Sequence, residues 1–167
     1  MHGRRRSVES LIDALQQAEL LLRLLVALLL GAAIGLERTR RQHAAGFRTM
    51  AMVSVGACLF TLLGSVLGSR TTDPTRIAAQ VVTGIGFLGA GAILREGTGI
   101  RGLTTAATIW VVAAIGMAAG FGLYVLAVGA TLLVLVALIA MRVLRQHILR
   151  ILLPFGGEED DDRGQSP

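Results

Sequence analysis

The eighteen residues Ile77–Leu94, IAAQVVTGIGFLGAGAIL, carry no charge and hold four glycines, Gly84, Gly86, Gly89 and Gly91. Charge stands close to both ends, with Asp73 and Arg76 before the run and Arg95 and Glu96 after it. A helix rising about 1.5 Å per residue crosses a hydrocarbon core of about 30 Å with a run of this kind. A helix lying on a soluble protein would carry a polar stripe instead. Glycines weaken helices in water, whereas in lipid they let helices approach closely. The run therefore predicts a packed membrane bundle.

Composition points the same way. Of 167 residues, 53% are hydrophobic and 16% charged, and the mean hydropathy is +0.67. All sixteen basic residues are arginine, giving a formal net charge of +5. They cluster at the ends of apolar runs and form no stripe, so no nucleic-acid partner is expected. The lone Cys58 lies inside an apolar run and reads as a small buried hydrophobe. No cleavable signal is expected at the N-terminus.

The pattern predicts an all-α, polytopic membrane helix bundle of five transmembrane helices, with the lipid bilayer as its surroundings. Residues 1–19 form a polar, amphipathic N-terminal segment in which Val8, Leu11, Ile12 and Leu15 share a helical face. That segment reads as a surface helix, continuous with or bent from the first span. Five apolar runs make the domain 20–141: Leu20–Leu36, Met50–Leu67, Ile77–Leu94, Leu103–Ala119 and Leu123–Met141. Arg23, near the start of the first, is expected to snorkel to the headgroups. Trp110 sits deep in the fourth and reads as packed against another helix. Residues 142–155 read as a basic interfacial helix and 156–167 as an acidic disordered tail, leaving no room for a second folded domain.

Arginine counting sets the orientation. Arg38, Arg40, Arg41, Arg48, Arg95, Arg101, Arg142, Arg145 and Arg150 fall on one side of a five-span chain. Arg70, Arg76 and the distant Arg4, Arg5 and Arg6 fall on the other. The majority side is expected in the cytoplasm, with the N-terminus outside and the C-terminus inside.

Gly84-Ile85-Gly86-Phe87-Leu88-Gly89 matches GxGxxG literally. A dinucleotide site needs a strand before it and an acid about 20 residues on; mid-span, these glycines predict close helix packing. GxxxG spacing recurs at Gly31/Gly35, Gly64/Gly68 and Gly116/Gly120, which predicts tight contacts within the chain or in a homodimer.

Polar residues within the spans are few. Arg76, Gln80 and Thr83 share a face with Phe87 and Gly91, below Asp73. Two readings stand: an N-cap with local hydrogen bonds, or a polar mouth that holds an ion or a partner. Thr104, Thr105 and Thr108 either bond back to their own helix or contact the Glu37/Arg38 region. Glu37 and Arg38 end the first span at the depth where Arg48 opens the second, and two readings stand: these charges pair, or they form a solvated or lipid-facing cluster. No catalytic constellation and no cofactor site is evident. No metal cage is expected, with Asp73 the one candidate for contact with a hydrated ion.

In combination and order, LLRLLVALLLGAAIGLER (21–38), AGFRT (45–49), DPTRIAAQVVTGIGFLGAGAIL (73–94) and RGLTTAATIW (101–110) resemble the membrane domain of the MgtC/SapB family. The resemblance implies a bacterial inner-membrane protein with five spans, an outer N-terminus and a cytoplasmic C-terminus. It also implies a part in adaptation to low Mg²⁺ and, in pathogens, in survival inside macrophages. Virulence members resemble regulators of other membrane machines, notably the proton-driven ATP synthase, and carry a soluble ACT-like domain after the fifth span. Here a basic helix and an acidic tail stand in that place. The motif match carries over Glu37, Arg38, Gly46, Arg48, Asp73, Arg76, Gln80, Gly84, Gly86, Gly89, Thr104, Thr105 and Trp110. The expected function is a non-enzymatic regulator in Mg²⁺ or ion homeostasis, acting on an ATP synthase or a cation transporter. The alternative is an ion transporter or channel.

Overall fold

A computed structural model describes residues 2–67, 75–96 and 99–152. Five helices follow in order: α1 (His2–Arg40), α2 (Phe47–Leu67), α3 (Thr75–Gly91), α4 (Leu103–Gly120) and α5 (Tyr124–Leu152). Four of them contain stretches long and apolar enough to cross a membrane: Asp13–Arg40, Phe47–Val66, Leu103–Gly120 and Tyr124–Met141. At 17 residues, α3 is about 26 Å long at ~1.5 Å per residue, a little short of a bilayer core. The amphipathic N-terminal segment and the first span are one unbroken helix. The basic stretch from Arg142 likewise continues α5, as far as Leu152.

Local chemistry sets the joints. After Arg40 the chain turns through Gln42 at φ 55, with the amides of Arg41 and His43 bonded to the Arg38 carbonyl. Thr39 Oγ1 then accepts the Phe47 N–H at 2.7 Å, so the last turn of α1 caps the start of α2 across the hairpin. At the far end of α4, Gly122 (φ 76) and Leu123 bond back to Ala119 and Ala118. This is the paired pattern of a Schellman stop, which requires a residue tolerant of φ > 0.

One segment departs from the expected helix. The run read as helical to Leu94 leaves the helix after Gly91. Leu94–Glu96 (β1) pairs antiparallel with Gly99–Arg101 (β2), Arg95 opposite Ile100. Gly89 and Gly91 give the last turn little to hold it, and the chain gains ladder bonds instead. Gly102, at φ 89, follows directly as the N-cap of α4. A side chain there would overlap the Ala92 carbonyl, so the position requires glycine twice over.

The core is a triple of helices with α2 in the middle. Ile34, Met50, Cys58, Val112 and Ile115 are each buried to within 2%. Glycine makes these contacts close. A Cβ on Gly31 would lie 2.6 Å from Ser54 Cβ, and one on Gly35 would lie 2.7 Å from Phe47 Cα. From the other side, a Cβ on Gly116 would run into the Ser54 carbonyl, and one on Gly120 would lie 2.8 Å from Thr61 Cβ. Ser54 is thus pinned between α1 and α4. Gly31/Gly35 and Gly116/Gly120 therefore serve contacts inside one chain. Gly64 meets Ile77 of α3, and Gly68 lies outside the described residues.

The glycines of α3 correct the expectation of close packing. A Cβ at Gly84, Gly86 or Gly91 would meet nothing within 4 Å, and at Gly89 it would make ordinary contact with Ala106. Gly84 instead lines an open groove between α2 and α3, and Gly86 and Gly91 are exposed. Trp110 is a second correction: it is 51% exposed on the outside of α4, because the inward face of that helix is taken by Ile109, Val112 and Ala113.

Candidate functional site

Two arginines tie α1 to α4, one at each end of the bundle. Near the start of the α1 span, Arg23 donates from Nη1 to the Gly120 carbonyl at 2.9 Å and pairs with Glu19 one turn back. Near the end of α1, Arg38 donates from Nη2 to Thr105 Oγ1 at 2.5 Å. The stretch from Arg23 to Arg38 matches that from Thr105 to Gly120, each about 22 Å at ~1.5 Å per residue. The helices therefore run antiparallel in a fixed register. The Arg23 guanidinium thus satisfies a carbonyl that the end of α4 leaves without an intrahelical partner.

Of the two, Arg38 is the chemically unusual one. It is 1% exposed, the carboxylate next to it is engaged elsewhere, and its Nε, like that of Arg23, has no hydrogen-bond partner among the described residues. Glu37 forms an ion pair with Arg41, one turn on. Arginine is almost never fully buried without a pairing anion. Around it lie Thr104 at the opening of α4, His43 in the turn after α1, and Arg40 and Arg41. With Ala137, Leu138 and Met141 of α5 they line a pocket of about 520 Å³.

The sequence candidates divide accordingly. Glu37, Arg38, Thr104, Thr105 and Thr108 come together at this end. Both readings of the threonines appear in the geometry: Thr105 accepts from Arg38, and Thr108 bonds back to the Thr104 carbonyl at 2.7 Å. Arg48, on the first turn of α2, is exposed, and the bonded partner of Glu37 is Arg41. Arg76 and Gln80 are exposed on α3, and Thr83 bonds to its own helix at Ala79. They belong to the opposite end, since Ile77 touches Gly64 there. Asp73 lies outside the described residues. No group of three or more His, Cys, Asp or Glu is placed to hold a metal ion among the described residues.

Sequence reasoning passed over Arg41, His43 and Ser54. The i, i+4 spacing of Glu37 and Arg41 was the available signal for the first. Nothing local marks the other two. Burial, and then the Arg38 and Arg41 charges, hold His43 below the ordinary 6.5 against the opposing pull of Glu37. The imidazole is therefore neutral at pH 7. The unfolded chain takes up this proton first as pH falls. The stability His43 contributes is thus present above about 6.5 and is lost below it. Its ring C–H signal, followed by NMR through a pH titration, is expected to move with a midpoint under that value; a midpoint above it contradicts this environment.

A family model described as MgtC family matches residues 24–147. Protein MgtC of Salmonella typhimurium is 49% identical over 142 residues, 83% of this chain and 59% of that protein. An uncharacterized protein of Synechocystis sp. is 52% identical over 130 residues, 78% of this chain and 55% of its own length. Protein MgtC of Brucella abortus is 48% identical over 126 residues, 75% of this chain and 51% of that protein. The match thus spans little more than half the length of these relatives. No solved structure matches the chain significantly.

Proposed function

The chain belongs to the MgtC family, and from that premise we propose that this multi-pass membrane protein works by contact with other membrane complexes, without catalysis of its own. Its place is the bacterial inner membrane, and its task is Mg²⁺ or ion homeostasis under low Mg²⁺ or host stress. The partner is an ATP synthase or a cation transporter. The observation that carries this reading is how the chain distributes its packing. Between α1, α2 and α4 the interior is filled by fully buried side chains and closed by helix contacts at glycine. Between α2 and α3, by contrast, an apolar groove of about 510 Å³ stays open, lined by Gly56, Phe60, Gln80 and Gly84 among others. The groove suits a partner helix or a second copy of the chain.

Five passes are part of the proposal. One end of α3 contacts α2 at Gly64 and the other approaches Ala106 at the start of α4, which supports a crossing from one end of the bundle to the other. With arginine counting it supports an outer N-terminus and a cytoplasmic C-terminus.

The test is affinity purification of the tagged full chain from native membrane in mild detergent. Co-purification of a membrane complex, retained through washing, is the expected result. Recovery of the chain alone, together with Mg²⁺ flux through liposomes holding only the pure protein, would replace this reading by the transporter one. Gln80 in the groove wall favours that second reading, and Gln80→Ala would then abolish the flux.

A further inference from the structure

The pocket beside Arg38 has chemistry that the partner-binding reading does not use. Its wall carries three guanidinium groups, Arg38, Arg40 and Arg41, and one carboxylate, Glu37. The carboxylate is paired with Arg41, so among the described residues two positive charges of the wall have no ion-pair partner. One of them is on Arg38, buried to 1% and with its Nε unbonded. A guanidinium withdrawn from water destabilises a fold unless an anion or a full set of acceptors meets it. Thr105 supplies one acceptor.

The opening turn of α4 reaches the same pocket at Thr104. Its N-cap is Gly102, with no side-chain cap hydrogen bond. The first amides of a helix have no intrahelical acceptor, and together with the helix dipole they favour an oxyanion. A buried arginine, two further arginines and an uncapped helix start thus line one cavity.

We propose that this pocket binds a phosphate oxyanion. Arg38 and the opening turn of α4 back it on the inside, and Arg40 and Arg41 close over it from the outside. Arginine suits this task because its planar fork matches phosphate oxygens. The remaining wall, Ala137, Leu138 and Met141 of α5, is apolar, and about 520 Å³ exceeds what bare phosphate fills. The space beside the anion fits the glycerol and the first acyl carbons of an anionic phospholipid. Inorganic phosphate shares the headgroup chemistry, and the experiment separates the two.

The test uses the full chain purified in a non-ionic detergent, read by its thermal unfolding midpoint. The probes are dioctanoylphosphatidylglycerol, dioctanoylphosphatidylcholine, inorganic phosphate and sodium chloride at matched ionic strength. The phosphatidylglycerol is expected to raise the midpoint well above the effect of phosphatidylcholine or chloride. Arg40→Gln, at an exposed position, is expected to weaken that response at least tenfold in probe concentration. Arg38→Gln is expected to remove it. Arg48→Gln, exposed on α2 and outside the pocket, is expected to leave it unchanged. A rise with phosphatidylglycerol but not with phosphate assigns the site to a lipid headgroup; an equal rise with both assigns it to the free oxyanion. No rise with either overturns the proposal. So does a rise that chloride reproduces, or one that Arg40→Gln leaves intact, whether or not Arg38→Gln folds.

Discussion

Gly116→Ala is expected to cost the folded protein about 3 kcal/mol, the upper end of what overpacking a filled interior costs. The added methyl has nowhere to go. It would lie against the carbonyl oxygen of Ser54 and within 2.9 Å of that residue's Cα. The obstacle is backbone, so no rotamer change relieves it. Relief requires α4 to move off α2, and α2 is already held from the other side where Gly31 meets Ser54 Cβ. The whole triple would have to reopen. Gly84→Ala is the matched control. It adds the same methyl within a helix, meets nothing within 4 Å, and is expected to leave stability unchanged or raise it by up to about 1 kcal/mol through helix propensity. Unfolding of both variants in detergent measures the difference. Equal effects would mean that the α2–α4 seam is looser than described.

The second large effect is expected at Arg38, and it depends on which residue replaces it. Arg38→Ala should destabilise by about 3 kcal/mol, since it opens a cavity between α1 and α4 and leaves the Thr105 hydroxyl without the donor now at 2.5 Å. Arg38→Met should fold at least as well as the natural chain. It fills most of the volume and removes a buried charge, an exchange that is often neutral or stabilising by about 1–4 kcal/mol. If Arg38→Met holds its fold and loses its effect on a partner complex or on phosphate-bearing probes, the arginine is there to meet an anion. If Arg38→Met falls as far as Arg38→Ala, the hydrogen bond to Thr105 is what joins the helices, and the charge has a structural task.

Much of the architecture is legible in the chain. Apolar runs bounded by arginine mark where helices lie, and Gly120-Phe121-Gly122 marks a tight reversal between two of them. The spacing of Gly31 and Gly35, and of Gly116 and Gly120, marks the faces that approach closely. The same reasoning fails on α3. Its four glycines look like the densest seam of all, yet three of them face open space. Spacing reports that a face is small; it does not report whether a neighbour comes to cover it. The β-hairpin after α3 escapes for a similar reason, since its ladder joins residues that have no apolar alternation to announce them.

The functional end was half visible. Glu37, Arg38, Thr104 and Thr105 stand out as polar residues at span ends, and resemblance to a family gathers them into one set. That Arg38 is the buried member follows from the register between α1 and α4, which sets it against Thr105. The amino-acid sequence alone determined that the chain must satisfy its backbone in helices, because lipid supplies no hydrogen-bond partner for a peptide group. Only the tertiary structure decided which polar side chains are shut away from water and which charges go without a counter-charge. Those outcomes depend on distances between residues far apart in the chain, such as Arg38 and Thr105, and no local pattern encodes them.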